Sequence, residues 1–242
     1  MSEFTIPTET IELPSKGLLY PKDSELSKGT IEMKYMTAKE EDILSNASYI
    51  EKGIVIDKLL KSLVISNINY NDLIIGDKNA IMVAARILGY GAKYNFEFKG
   101  EEEEIDLSEL DNKPIDESLF SSGTNNFSYT LPATKTEITF KLLTHKDEQN
   151  INREINGLKK ISKDASPAIS TRLKYIITSV GGDSDDKSIR EFVDKYMLAQ
   201  DSRALRKYIE KIQPDIDLTF FPYNEDVKRP LPIGLSFFWP DI

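Results

Sequence analysis

The feature that most constrains this chain is a hydrophobic period that switches repeatedly between two and about 3.6 residues. GTIEMKYMT (29–37) alternates Ile31, Met33 and Tyr35 against Thr30, Glu32 and Lys34, the pattern of a half-buried strand. From Thr37 the period lengthens. Thr37 and Glu40 in TAKEEDILSNAS form a capping box, in which each satisfies an orphan amide of a first helical turn. IDKLLKSLVI (56–65) sets Ile56, Leu59, Leu60, Leu63 and Val64 on one helical stripe. In GDKNAIMVAARILGYG (76–91), Asp77 is placed to cap a helix that Gly89 or Gly91 ends. Its small Ala80, Ala84 and Ala85 interleave with Ile81, Met82, Ile87 and Leu88, so this helix is expected at the centre of the fold.

Over 92–143 the period returns to two. AKYNFEFKG and EEEEIDL alternate around Gly100, NFSYTL and TEITFKLL alternate around PATK, and an acidic loop (108–126) separates the two hairpins. Helices resume at LLTHKDE, with Thr144 as cap and Asp147 as first-turn acid. Three are expected: 145–161, 167–180 with Pro167 in the first turn, and 187–212, broken near Ala199 to Ser202 with Asp201 capping the last piece. After Pro214, residues 216–221 and 233–239 are read as the arms of a final hairpin, with Phe220, Phe237 and Trp239 on one side.

The first 22 residues carry Pro7, Pro14 and Pro21 and read as an extended arm, a candidate for lying along another surface. These periods give an α+β fold: a helical body, two small antiparallel β-hairpin units (mid-chain and C-terminal) and an extended N-terminal arm. The expected segments are 1–36 (arm and first strand), 37–91 (helical), 92–143 (small β unit), 144–213 (helical) and 214–242 (C-terminal hairpin), in one composite domain.

Composition narrows the function classes. With 40 acids against 31 bases the net charge is -9, which repels nucleic acid and anionic lipid unless a basic patch is segregated, and none is evident in the sequence. No cysteine is present, so disulfides, thiolate metal sites and thiol nucleophiles are excluded. No apolar run approaches the roughly 18 residues of a membrane span, and MSEFTIPTET lacks the basic and apolar regions of a signal peptide, so a cytoplasmic location is expected.

Candidate chemistry is thin. The single histidine, His145, is read as a solvent-facing first-turn residue, since no glycine-flanked serine accompanies it. VGGDSDDKS (180–188) lacks the glycine and glutamate of a calcium loop and is read as an acidic connection, with Asp186 as a helix cap. The four glutamates 101–104 alternate faces on a strand and cannot converge on one ion. No phosphate-loop spacing occurs. The expectation is a chain with no catalytic residues, no metal site and no cofactor.

Several segments in order carry a resemblance: LPSKGLLYP, GTIEMKYMTAKEEDIL, IDKLL, NDLIIGDKNAIMVAARILGYG, FKLLTHKDE and the terminal PIGLSFFWPD. Together they resemble the baseplate hub assembly protein family of T-even-type, contractile-tailed bacteriophages, over nearly the full length. The resemblance implies a non-enzymatic protein of baseplate hub assembly, either a structural subunit or an assembly chaperone. Its implied partners are other phage baseplate or hub proteins, with no nucleic acid. Its implied location is the cytoplasm of an infected bacterial host, or the tail baseplate if the chain is retained there. The alternative is a protein-interaction module unrelated to phage tails.

Relatives in that family often carry two CxxC pairs, at the tips of the hairpins matching 94–107 and the C-terminus, a set that suits a zinc ribbon. Here those tips read KGEE and YNED, so no zinc can be carried over. If the hairpins still lie side by side, their contact falls to packing among Tyr94, Phe96, Phe98, Phe220, Phe221 and Phe237. For partner contacts the candidates are Leu18, Leu19 and Tyr20 in the arm and Phe238 and Trp239 at the terminus. An aromatic C-terminal ribbon needs a surface to sit on, either this chain's own helices or another protein.

Overall fold

The computed structural model describes residues 5–121, 123–161 and 167–239, and the architecture is α+β. The N-terminal stretch is extended over Thr8–Glu12 (β1), and what it lies along is the chain's own Thr30–Lys34 (β2), antiparallel with Ile11 opposite Ile31. The chain between them folds tightly back on itself. Gly17, at φ 77°, sits where a Cβ would lie 2.3 Å from the Ser27 carbonyl oxygen, so only glycine fits.

Four helices follow: α1 (Ala38–Leu44), α2 (Ala47–Glu51), α3 (Val55–Leu63) and α4 (Ile75–Tyr90). The stripe of α3 is buried at Leu59, Leu60 and Leu63, as its spacing dictates. Helix α4 buries residues on all sides, including Ile81, Ala85 and Leu88, and ends at Gly91 with φ 83°. Its second residue, Gly76, meets the 214–215 backbone, where a Cβ would fall 1.8 Å from the Pro214 carbonyl oxygen.

The hairpin of β3 (Lys93–Phe98) and β4 (Glu101–Asp106) pairs Phe96 with Glu103. The second expected hairpin, β5 (Phe127–Thr130) and β6 (Glu137–Phe140), gains a third strand. After α5 (His145–Ile161) and α6 (Ala168–Ile176), the segment expected to stay helical to 180 turns into β7 (Ile177–Val180) and pairs antiparallel with β6. Its ITSV sequence is β-branched at Ile177, Thr178 and Val180, so packing beside β6 outweighs continuation of the helix. The sheet packs through Phe127, Phe140 and Tyr129 onto Tyr208 of the last helices, α7 (Asp186–Lys195) and α8 (Ala199–Ile212).

The C-terminal segment is a shorter hairpin than expected. Only β8 (Thr219–Phe220) and β9 (Arg229–Pro230) pair, and residues 235–238 form a turn of 3-10 helix instead of a strand. A tight helical turn lets the neighbours Phe237 and Phe238 both face the core, which the alternation of a strand forbids.

Among the described residues the four buried carboxylates, Glu40, Asp77, Asp147 and Asp201, all stand third in a helix. Orphan amides and the positive end of the helix dipole make that position the least costly place to bury a negative charge. Two stay local. Glu40 accepts from Thr37 N–H at 3.1 Å and from Lys34, and Asp147 accepts from Thr144 N–H at 3.0 Å and from Lys141 at 2.8 Å. The other two reach across the fold, where the sequence suggested caps. Asp77 takes the N–H and hydroxyl of Ser15 at 2.9 and 2.6 Å and the hydroxyl of Tyr20. Asp201 takes the N–H groups of Ala133 and Thr134, at 2.7 and 3.1 Å, from the β5–β6 turn. Apolar Ile74 and Leu198 hold the cap positions instead. At α7 the cap is Asp185, which accepts from Ser188 N–H, while Asp186 pairs with Arg190 at 2.9 Å.

Candidate interaction surface at the paired hairpins

The five residues expected to meet a partner are held largely by the chain itself. Leu19, Tyr20 and Phe238 are fully in the core, and Leu18 and Trp239 are half-buried against it. Two contacts place them there: the 13–20 turn docks on Asp77, and the terminal turn fills the space beside Tyr94. None of the five forms an exposed patch.

The β3–β4 and C-terminal hairpins do lie side by side. Phe96 meets Phe220 edge-to-face at 4.9 Å between ring centroids, Phe98 meets the same ring at 5.3 Å, and Tyr94 meets Phe237 at 4.9 Å. The Tyr94 hydroxyl donates to the Pro232 carbonyl at 2.8 Å. At the tips Lys99 forms an ion pair with Glu225, and Glu103 accepts the N–H of Tyr223 at 2.9 Å. Lys99 and then Arg229 hold the Glu225 carboxyl below its usual range. A carboxylate tied to two cations, beside tips without sulfur or imidazole, does not fit a zinc ligand set, and no group of three metal-ligating side chains occurs among the described residues. Aromatic edges, two hydrogen bonds and one ion pair hold the two hairpins together.

Phe221 departs from the expected packing. It is 60% exposed, with Lys228 Nζ 5.6 Å from its ring centre, and beyond it Tyr223 is 89% exposed and Val227 59%. All three belong to the 221–228 loop between β8 and β9. The loop is anchored from below by Phe220 and from the side by Lys99 and Glu103, so Phe221, Tyr223 and Val227 are presented on a tethered base, flanking a polar tip of Asn224, Glu225 and Asp226. The sequence signal for it was available: the run FFPY alternates, so if Phe220 faces inward Phe221 must face out.

His145 is not solvent-facing. It is 2% exposed, with Nδ1 3.3 Å from Lys78 Nζ, Nε2 2.9 Å from Gln149 Nε2, and Tyr70 edge-on at 4.7 Å. Asp57 lies 3.6 Å from Nε2 and pairs with Lys78 at 2.7 Å. Burial first, and Lys78 next, push the imidazole down to about 4, so it is neutral at pH 7. Both nitrogens are engaged where α3, α4 and α5 meet, which makes the residue a junction between helices.

No helix of the described residues is long and apolar enough to cross a membrane. No protein-family model, curated protein or solved structure matches the chain.

Proposed function

We propose that this chain is a non-enzymatic docking protein of contractile-tailed phages that acts in baseplate hub assembly, as a hub subunit or as an assembly chaperone. The observation that carries the docking role is the exposure of Phe221, Tyr223 and Val227 on a loop tethered to the paired hairpins. Aromatic side chains held rigid before binding lose little entropy on contact, and such residues dominate interface energetics. The tail context rests on the ordered sequence resemblance from LPSKGLLYP to SFFWPD. The use of His145 as a helix junction supports the non-enzymatic reading.

The test is quantitative mass spectrometry of the tagged full chain, in purified phage particles and in lysate of the producing cells. A fixed small copy number in particles makes it a hub subunit. Recovery from lysate bound to hub proteins, with none in particles, makes it a chaperone. Recovery from neither fraction with tail proteins overturns the reading.

A further inference from the structure

A second surface lies away from the paired hairpins, in a groove of about 550 Å³ between α6 and the α7–α8 corner. Its floor is apolar: Pro167, Ala168, Leu173, Val193 and Met197. Of the lining side chains Ile169 is 52% exposed, and Tyr196 and Leu198, the chain neighbours of Met197 at the α7–α8 corner, are exposed at 60% and 51%. Exposed large apolar residues beside an apolar groove mark a surface suited to a partner.

The charge around this groove is asymmetric. Ala199 and Ser202 line it from the first turn of α8, and helical spacing continues that face to Arg203 and Arg206, with Lys207 beside them. All three cations are exposed, and no ion pair or hydrogen bond among the described residues reaches them. Among the described residues the acids of α7 and of the start of α8 nearest the groove are engaged: Asp194 pairs with Lys174 at 2.8 Å, Glu191 with Lys195 at 2.9 Å, and Asp201 is buried on the β5–β6 turn. Glu210, a turn beyond, is the one acid left on that part of α8. A chain of net charge -9 thus carries a locally positive, apolar groove that its linear sequence does not display.

We propose that this groove docks an acidic amphipathic helix of a partner protein, with the helix's apolar face over Ile169, Leu173 and Met197 and its carboxylates against Arg203 and Arg206. Apolar grooves accept helices through residues spaced at three and four, and flanking charge sets orientation and partner choice. The α8 rod of 14 residues is long enough to support several turns of such a ligand.

The test uses the full chain and a fluorescein-labelled peptide of about 18 residues, five helical turns, with leucine on one face and glutamate on the other. A lysine-for-glutamate isomer, a scrambled peptide and a single-stranded oligonucleotide serve as comparisons. Binding is read by fluorescence anisotropy. The expected result is binding of the acidic helix alone, weakening with salt, and weakened about tenfold or more by Ile169→Asp and, separately, by Arg203→Glu with Arg206→Glu. These positions are exposed, and circular dichroism checks that each variant keeps its fold. Absence of binding, equal binding of the lysine or scrambled peptide, or indifference to both variants overturns the proposal. Oligonucleotide binding that Ile169→Asp leaves intact would assign the cations to nucleic acid instead. A dimer in sedimentation velocity that Ile169→Asp dissociates would assign the groove to a second copy of this chain.

Discussion

The Tyr20 hydroxyl donates to Asp77 Oδ2 at 2.6 Å and accepts the N–H of Ile74 at 3.0 Å, so one phenol ties the N-terminal turn to the first turn of α4. Both partners are buried, and neither can turn to water when the hydroxyl is removed. Tyr20→Phe is therefore expected to cost about 1–3 kcal/mol, the usual loss for stranding buried polar groups. A urea titration checks it: the midpoint should fall while the slope stays unchanged. An unchanged midpoint would mean that the turn is not clasped to α4.

Asp77 gives the same contact a pH dependence. Burial raises its carboxyl above the usual range, against the hydrogen bonds from Ser15 and Tyr20 that favour the charged form. A raised folded value means that the native state holds the proton more tightly than the unfolded chain. Stability from this group is fullest below the unfolded value near about 4 and is lost as pH rises through the folded value. Asp77→Asn cannot titrate. Measured against wild type, its relative stability should improve from pH 4 to pH 7, and a constant difference across that window would contradict this.

His145 acts with the opposite slope. Its folded value, about 4, lies below the unfolded value near about 6.5, because burial and Lys78 oppose the charge. The unfolded chain binds the proton first, so stability is full above pH 6.5 and is lost as pH falls toward 4. Glu40 and Asp201 are pulled up by burial, but their hydrogen bonds win and leave both low, so their contribution fades only in more acid solution. His145→Gln should lower stability at pH 7 through the lost contact with Tyr70, and should flatten the loss between pH 6.5 and 5. Denaturant midpoints at the two pH values decide it.

How much of this was legible in the sequence follows from the range of each interaction. Helices α3 and α4, the β3–β4 hairpin, the capping box at Thr37 and the cap at Thr144 depend on neighbours within a few residues, so periodicity and capping chemistry reveal them. Strand β7 depends on β6, and its identity is decided by a partner some forty residues away in the chain. The roles of Asp77 and Asp201 were misread for a related reason. An aspartate in a first helical turn fits a cap, and only the fold shows that Ser15 and the 133–134 amides arrive to claim it. The exposed apolar surface was harder still, because exposed and buried aromatics look alike until the register of each turn is known: Phe238 went to the core and Phe221 to the surface.

The contact between the two hairpins should be measurable as a coupling. Phe220 is buried against Phe96 and Phe98, so Phe220→Ala is expected to cost about 3–5 kcal/mol. Phe96→Ala costs less, since Phe96 is only half-buried. In a double-mutant cycle the two should couple by about 0.5–1.5 kcal/mol, the worth of an edge-to-face pair. Strict additivity would show that the hairpins do not share that contact in solution.

Substitutions on the 221–228 loop separate stability from the proposed docking role. Phe221 and Tyr223 lie above the anchored base, and their rings contribute little burial of their own. Surface substitutions of that kind change stability by about 0.5 kcal/mol or less. A hot-spot aromatic at the centre of an interface costs far more when truncated, about 2 kcal/mol or more of binding. Phe221→Ser combined with Tyr223→Ser should therefore leave the thermal midpoint nearly unchanged and remove co-purification with the hub proteins. Phe220→Ala, one residue away but inside the core, should lower both together, because the base of the tip itself is lost. Should the surface pair lose stability as severely as the core variant, the loop is part of the folded core and not a docking element. Should it keep both stability and partner, the interface lies elsewhere, and the α6–α8 groove is the next surface to test.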